Sequence, residues 1–145
     1  MEIFEFGCGY STLFYAEKVK TVISVEHNIK WINKIKHKIP ENVKIIFNDP
    51  VDMIQYPQAI LKTGKIFDII FIDAMDRISC IKNALQCLKI NGVIILDDSE
   101  REKYREFFSQ ITNLDFKYLD IFGETSGNKS KCTTIFYKSQ NCLNI

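Results

Sequence analysis

The stretch Glu2-Ile3-Phe4-Glu5-Phe6-Gly7-Cys8-Gly9-Tyr10-Ser11-Thr12 decides how this chain reads. A short apolar run stops at two glycines one residue apart, and a helical pattern starts immediately afterwards. Glycines at i and i+2 permit a tight turn and let backbone approach a ligand at the start of a helix. Ser11 or Thr12 can cap that helix. The same alternation extends outward along the chain. Ile/Val/Phe-rich runs at Glu2–Phe6, Thr21–Glu26, Val43–Phe47, Phe67–Asp73, Gly92–Asp97, Phe116–Phe122 and Cys132–Tyr137 predict seven strands. Apolar residues at three- and four-residue spacing predict helices over Thr12–Val19, Ile29–Ile39, Val51–Leu61, Ile78–Leu88 and Arg101–Ile111.

The central runs, such as Ile69-Ile70-Phe71-Ile72 between Asp68 and Asp73, are continuously apolar, as strands covered by helices on both faces must be. The expected fold is therefore α/β, a doubly wound and mostly parallel seven-stranded sheet. Ligands of such sheets lie beyond the carboxyl ends of the strands, where the strand order reverses. After Phe122 the segment Gly123–Lys131 is polar, short and rich in turn-forming residues. No crossover helix fits there, so the last two strands should form a hairpin with an antiparallel last strand. Residues 1–138 read as one domain, with 139–145 expected to fray.

The chain has 145 residues, 46% apolar and 26% charged, which suits one soluble globular domain with a real core. Its 19 basic and 18 acidic residues leave a net charge of +1, without the basic field that nucleic-acid binding needs. Five scattered cysteines form no CxxC pair and no zinc spacing with the two histidines, so reduced thiols are expected. Neither a signal peptide nor a membrane-length apolar run is evident, pointing to a cytoplasmic protein without a membrane partner.

Glu26 closes the second run seventeen positions after Gly9. A carboxylate there can accept the hydroxyl protons of a ribose. A carboxylate at Glu5 would repel a diphosphate and attract an ammonium group, and Thr12 stands where a dinucleotide motif has its third glycine. Together these residues point to S-adenosylmethionine, whose amino acid end is zwitterionic and whose sulfur is cationic.

Glu5-Phe6-Gly7-Cys8-Gly9 resembles motif I of class I S-adenosylmethionine-dependent methyltransferases, the Rossmann-like group that includes uncharacterised methyltransferase-like proteins. Val25-Glu26 resembles the acidic end of their second strand, and Phe67–Ala74 their fourth-strand motif. Leu88-Lys89-Ile90-Asn91-Gly92 through Asp98 is similar to the entry to their fifth strand. The resemblance implies that Glu5, Gly7, Cys8, Gly9 and Ser11 meet the methionine portion, and that Glu26, with His27 beside it, holds the ribose. It further implies that Asp49, after the third strand, reads the adenine. Asp49 followed by Pro50 also fits a helix start, and the two readings are compatible.

The acceptor side should lie at the ends of strands four and five, with Asp73 and Asp98 as candidate bases or orienting groups. Asp73, Asp97 and Asp98 also resemble the carboxylates of metal-dependent catechol-type O-methyltransferases. Asp98 stands where that family usually has Asn, so no metal ligands are assigned, although Mg²⁺ would suit the oxygen donors. Asp97–Glu100 reads equally as an acidic helix start. Arg77 and Arg101 read mainly as surface ion-pairing groups. Helices that precede the first strand in such enzymes, and roof their cofactor, have no counterpart before Glu2.

The sequence thus supports a methyltransferase acting on a small-molecule or glycan-like acceptor, with a homo-oligomer as one way to supply a lid. A non-catalytic cofactor-binding module and an NAD-dependent oxidoreductase are the rival readings.

Overall fold

In the computed structural model, which describes residues 1–124 and 130–145, seven strands form one sheet in the order β3-β2-β1-β4-β5-β7-β6. The strands are β1 (Glu2–Phe6), β2 (Thr21–Glu26), β3 (Val43–Phe47), β4 (Phe67–Ile72), β5 (Leu88–Leu96), β6 (Lys117–Glu124) and β7 (Ser130–Tyr137). β1 to β5 pair in parallel, while β7 runs antiparallel to both β5 and β6. The doubly wound sheet with an antiparallel last strand is as expected. The polar hairpin loop falls partly at residues 125–129, outside the described residues.

Four α-helices accompany the sheet: α1 (Tyr10–Ala16), α2 (Ile29–Ile35), α3 (Arg77–Ala84) and α4 (Glu102–Thr112). The helix expected over Val51–Leu61 does not form. In its place stand three short 3-10 turns, Pro50–Asp52, Tyr56–Gln58 and Leu61–Thr63. Pro57 explains the break, because it lacks the N–H of an α-helical bond and its ring crowds the preceding turn. The backbone changes instead to i→i−3 bonding, as in Gln58 N–H to Gln55 C=O at 2.9 Å. Gly64, with φ +63°, then closes the segment in a left-handed turn. The apolar spacing still serves its purpose: Met53, Tyr56, Ala59 and Ile60 pack into the core beneath β1 and β2.

That larger core, on one face of the sheet, joins these residues to Phe4, Phe6, Ile70, Ile72, Ile94 and the inner sides of α3 and α4. The other face carries a smaller cluster in which Ala16, Tyr15 and Val19 of the α1 region cover Ile3, Val22 and Ile69. Residues 139–145 lie against this face, with Cys142 and Leu143 packed on the smaller cluster. Cys142 donates its N–H to the Asn91 carbonyl at 2.7 Å, and Asn141 bonds the Lys138 and Ile145 carbonyls. All five cysteines are free. No helix among the described residues is long and apolar enough to cross a membrane.

Candidate active site

The strand order reverses between β1 and β4, and the bonds that continue the parallel ladders align the strand ends there. Gly7 N–H donates to Val25 C=O at 2.9 Å, Asp73 N–H to Phe6 C=O at 3.0 Å, and Asp97 N–H to Ile72 C=O at 3.1 Å. A cleft of about 440 Å³ opens above them, lined by Gly7, Glu26, His27, Met53, Tyr56, Asp73, Arg77, Asp98 and Arg101 among others. That volume is in the range of small-molecule sites.

The geometry at Gly7 penalises any side chain. Its φ is +109°, and a Cβ there would meet the Asp73 carbonyl oxygen at 3.0 Å. Gly9 differs: its backbone is extended, and a Cβ would only touch Trp31 at 3.9 Å. Of the two glycines, the turn itself therefore requires the first.

The N–H groups after Gly7 are already engaged. Cys8 N–H donates to Glu26 Oε2 at 3.2 Å, and Gly9 N–H to Thr12 Oγ1 at 2.8 Å. Thr12, in place of a third glycine, thus hooks the turn from within the helix. Its hydroxyl passes the bond on, donating to Glu5 Oε2 at 2.5 Å. Ser11 and Ser24 also donate to Glu5, at 2.5 and 2.8 Å.

Glu5 is consequently not in the cleft lining. It is 1% exposed, and its carboxylate faces three hydroxyls of the fold itself. Alternation along β1 accounts for this, since side chains of neighbouring residues point to opposite faces of the strand. Ser11 is turned toward Glu5, and Cys8 contributes backbone. The Cys8 thiol is pushed up to about 11 by burial, so it remains protonated near neutrality.

Burial also raises the Glu5 pKa against the lowering effect of its three hydroxyl partners. A carboxyl raised on folding stabilises the protein most below its unfolded value of 4.5, and that contribution fades as pH rises through the folded value. Glu5→Gln abolishes this dependence. The melting temperature of the variant relative to the parent should therefore increase from acid to neutral pH, measured by scanning calorimetry.

Glu26, 7% exposed, closes β2 at the cleft wall. Its Oε1 accepts the His27 and Asn28 N–H groups at 2.8 and 2.7 Å, and Oε2 accepts Cys8. A carboxylate offers about four acceptor sites, so these three bonds orient it and leave capacity toward the cleft. His27 lies in the same wall, its ring centroid 5.9 Å from that of Tyr56. Asp49 stands elsewhere: it is exposed, absent from the lining, and caps the first 3-10 turn by accepting the Val51 N–H at 2.9 Å.

At the far side, Arg77 is 5% exposed. It is not the surface group its sequence context suggests. Its Nη2 lies 2.6 Å from Asp73 Oδ1 and 3.5 Å from Asp98 Oδ2, while Nη1 donates to Ala74 C=O at 2.6 Å. Asp98 adopts φ +50° and is the hub of three cations, with Arg101 and Lys131 each at 2.5 Å. Those partners hold its carboxyl below the usual range despite partial desolvation. Asp73 moves the opposite way, raised by desolvation and by Asp97 and Asp98 against the pull of Arg77. Asp97 is bonded by the Thr133 hydroxyl at 2.8 Å. No cluster of three potential ligands suited to a metal occurs among the described residues, and the cations around Asp98 do not fit a metal centre. Asp97–Glu100 is not a helix start either: α4 begins at Glu102, and Ser99 is buried against the Cys132 carbonyl.

Sequence reading missed Tyr56, Met53 and Lys131. Tyr56 carried only a core-like spacing signal, and Lys131 meets Asp98 across 33 residues, with no local signal at all.

No protein-family model matches the chain, and no curated protein matches it by sequence. Solved structures do match. An O-methyltransferase from Bacillus cereus in complex with SAH is 20% identical over 94% of this chain and 74% of its own, with a TM-score of 0.75. The O-methyltransferase TomG from Streptomyces achromogenes, involved in tomaymycin synthesis and in complex with SAM, is 16% identical over 94% and 73%, with a TM-score of 0.73. The N-methyltransferase NodS from Bradyrhizobium japonicum, with S-adenosyl-L-homocysteine, is 16% identical over 94% and 77%, with a TM-score of 0.66. Strand order, the antiparallel last strand and these superpositions agree: the chain has the class I S-adenosylmethionine-dependent methyltransferase fold.

Proposed function

We propose that the chain binds S-adenosylmethionine in the cleft and transfers its methyl group to a small-molecule or glycan-like acceptor. The observation that carries this reading is the carboxylate of Glu26, fixed by the backbone of the glycine turn while still facing the cleft. It is placed to accept ribose hydroxyls, with His27 and the Gly7 backbone beside it. The cofactor supplies an electrophilic methyl carbon; the chain's own task is to align the acceptor and remove its proton.

Asp73 suits the base role better than Asp98. A raised pKa brings a carboxyl toward working pH, whereas Asp98 is held ionised and saturated by Arg77, Arg101 and Lys131. Asp98 then acts by keeping the two arginines in place. These same ion pairs favour one rival, a cofactor-binding module without turnover, because Asp73 is already engaged by Arg77 at 2.6 Å.

Diphosphate binding is opposed by a feature other than Glu5 repulsion. The Cys8 and Gly9 N–H groups, which would cradle a phosphate, are taken by Glu26 and Thr12. Calorimetric titration should show saturable binding of S-adenosylmethionine and S-adenosylhomocysteine and none of NAD. Binding of NAD alone would replace the proposal with the oxidoreductase reading. Conversion of bound S-adenosylmethionine to S-adenosylhomocysteine with candidate acceptors, lost in Asp73→Asn at unchanged cofactor affinity, separates catalysis from binding alone.

A further inference from the structure

The sheet ends in two unequal edges. β3 is a five-residue strand with Lys44 at its second position, whereas β6 pairs with β7 over all eight residues Lys117–Glu124 without a bulge. Beyond β6 no further strand pairs among the described residues. Four large apolar side chains are nevertheless exposed along it: Tyr118 47%, Leu119 45%, Ile121 50% and Phe122 65%. Edge strands are ordinarily blunted by an outward charge, a proline or a bulge. β6 has no proline, and its one central charge is drawn back onto the fold. Asp120 is held by Arg105 at 2.6 Å and accepts the Thr134 hydroxyl at 2.6 Å.

We propose that β6 is a self-association edge, pairing antiparallel with β6 of a second copy about a two-fold axis at Asp120. The strand's own pattern sets this register. Directly opposed residues of antiparallel strands share a face, so an axis at Asp120 places Tyr118 against Phe122 of the second copy, and Leu119 against Ile121. Each pair occurs twice. Lys117 falls opposite Gly123, and the two Asp120 carboxylates lie across the axis from each other, each already paired with the Arg105 of its own copy. Moving the axis by one residue sets Tyr118 opposite Glu124 or Asp120 and forfeits both aromatic pairs. The unpaired edge also gains main-chain bonds, as in any added strand.

Sedimentation of the full chain from about 1 to about 100 µM, the span suited to a small interface, tests this directly. The mass should rise with concentration from 16.9 kDa toward twice that value. Leu119→Lys with Ile121→Lys opposes lysines across the axis and should abolish the dimer. Leu119→Lys with Ile121→Asp creates two complementary pairs and should restore it at least tenfold relative to the double-lysine variant. Both side chains are half exposed, so folding should persist, as checked by circular dichroism. A wild-type chain that stays monomeric throughout overturns the proposal. So does a double-lysine variant that dimerises like the parent, or no difference between the two double variants.

Discussion

Replacing Glu26 with alanine is expected to weaken S-adenosylhomocysteine binding by about 100-fold, while the protein remains folded. The carboxylate has two tasks: facing the cleft and holding the Cys8, His27 and Asn28 N–H groups. Hydrogen bonds to a charged group contribute about 1.5–3 kcal/mol each, so one lost ribose contact alone weakens binding by roughly 10- to 150-fold. Release of the turn adds to that loss. Glu26→Gln should recover only part of it. Its amide has one accepting oxygen, so the NH₂ must confront either the Cys8 N–H or the His27 and Asn28 pair. Calorimetric affinities of the three proteins decide the matter, and equal affinities would remove Glu26 from the site.

The second large effect is on stability. Gly7→Ala must place a side chain at φ +109°, with its Cβ 3.0 Å from the Asp73 carbonyl oxygen. Sparse backbone regions cost about 1–3 kcal/mol for a non-glycine residue, and overpacking costs about as much again. A total of about 3 kcal/mol or more corresponds to a fall of roughly 10 °C in melting temperature for a domain of this size. Gly9→Ala is the contrast. Its extended backbone accepts alanine, and the new methyl makes ordinary contact with Trp31 at 3.9 Å. Its melting temperature should change little. Thermal unfolding of the two variants side by side tests whether the turn depends on the first glycine alone.

Much of the architecture was legible because strand and helix periodicities are local. The continuously apolar Ile69–Ile72 announces a strand buried on both faces, and the pair Gly7 and Gly9 announces a tight turn, of which Gly7 alone takes a positive φ. The helix expected over Val51–Leu61 failed for an equally local reason, the proline at position 57, which apolar spacing outweighed in the reading. Within the site, Glu26 was singled out as the acidic end of a strand for holding a ribose, and it lines the cleft. Glu5 was assigned from the charge of an isolated side chain, and that charge could not show which way it points.

Sequence by itself determined the alternation of strands and helices, the reversal into a terminal hairpin, and a tight glycine turn after the first strand, because each follows from neighbouring residues. Only the tertiary structure decided that Glu5 is consumed by three hydroxyls, that Arg77 is buried, and that Lys131 closes on Asp98. Those outcomes depend on groups brought together from separate strands, where burial and competition for hydrogen bonds, rather than residue type, settle which charges remain available to a ligand.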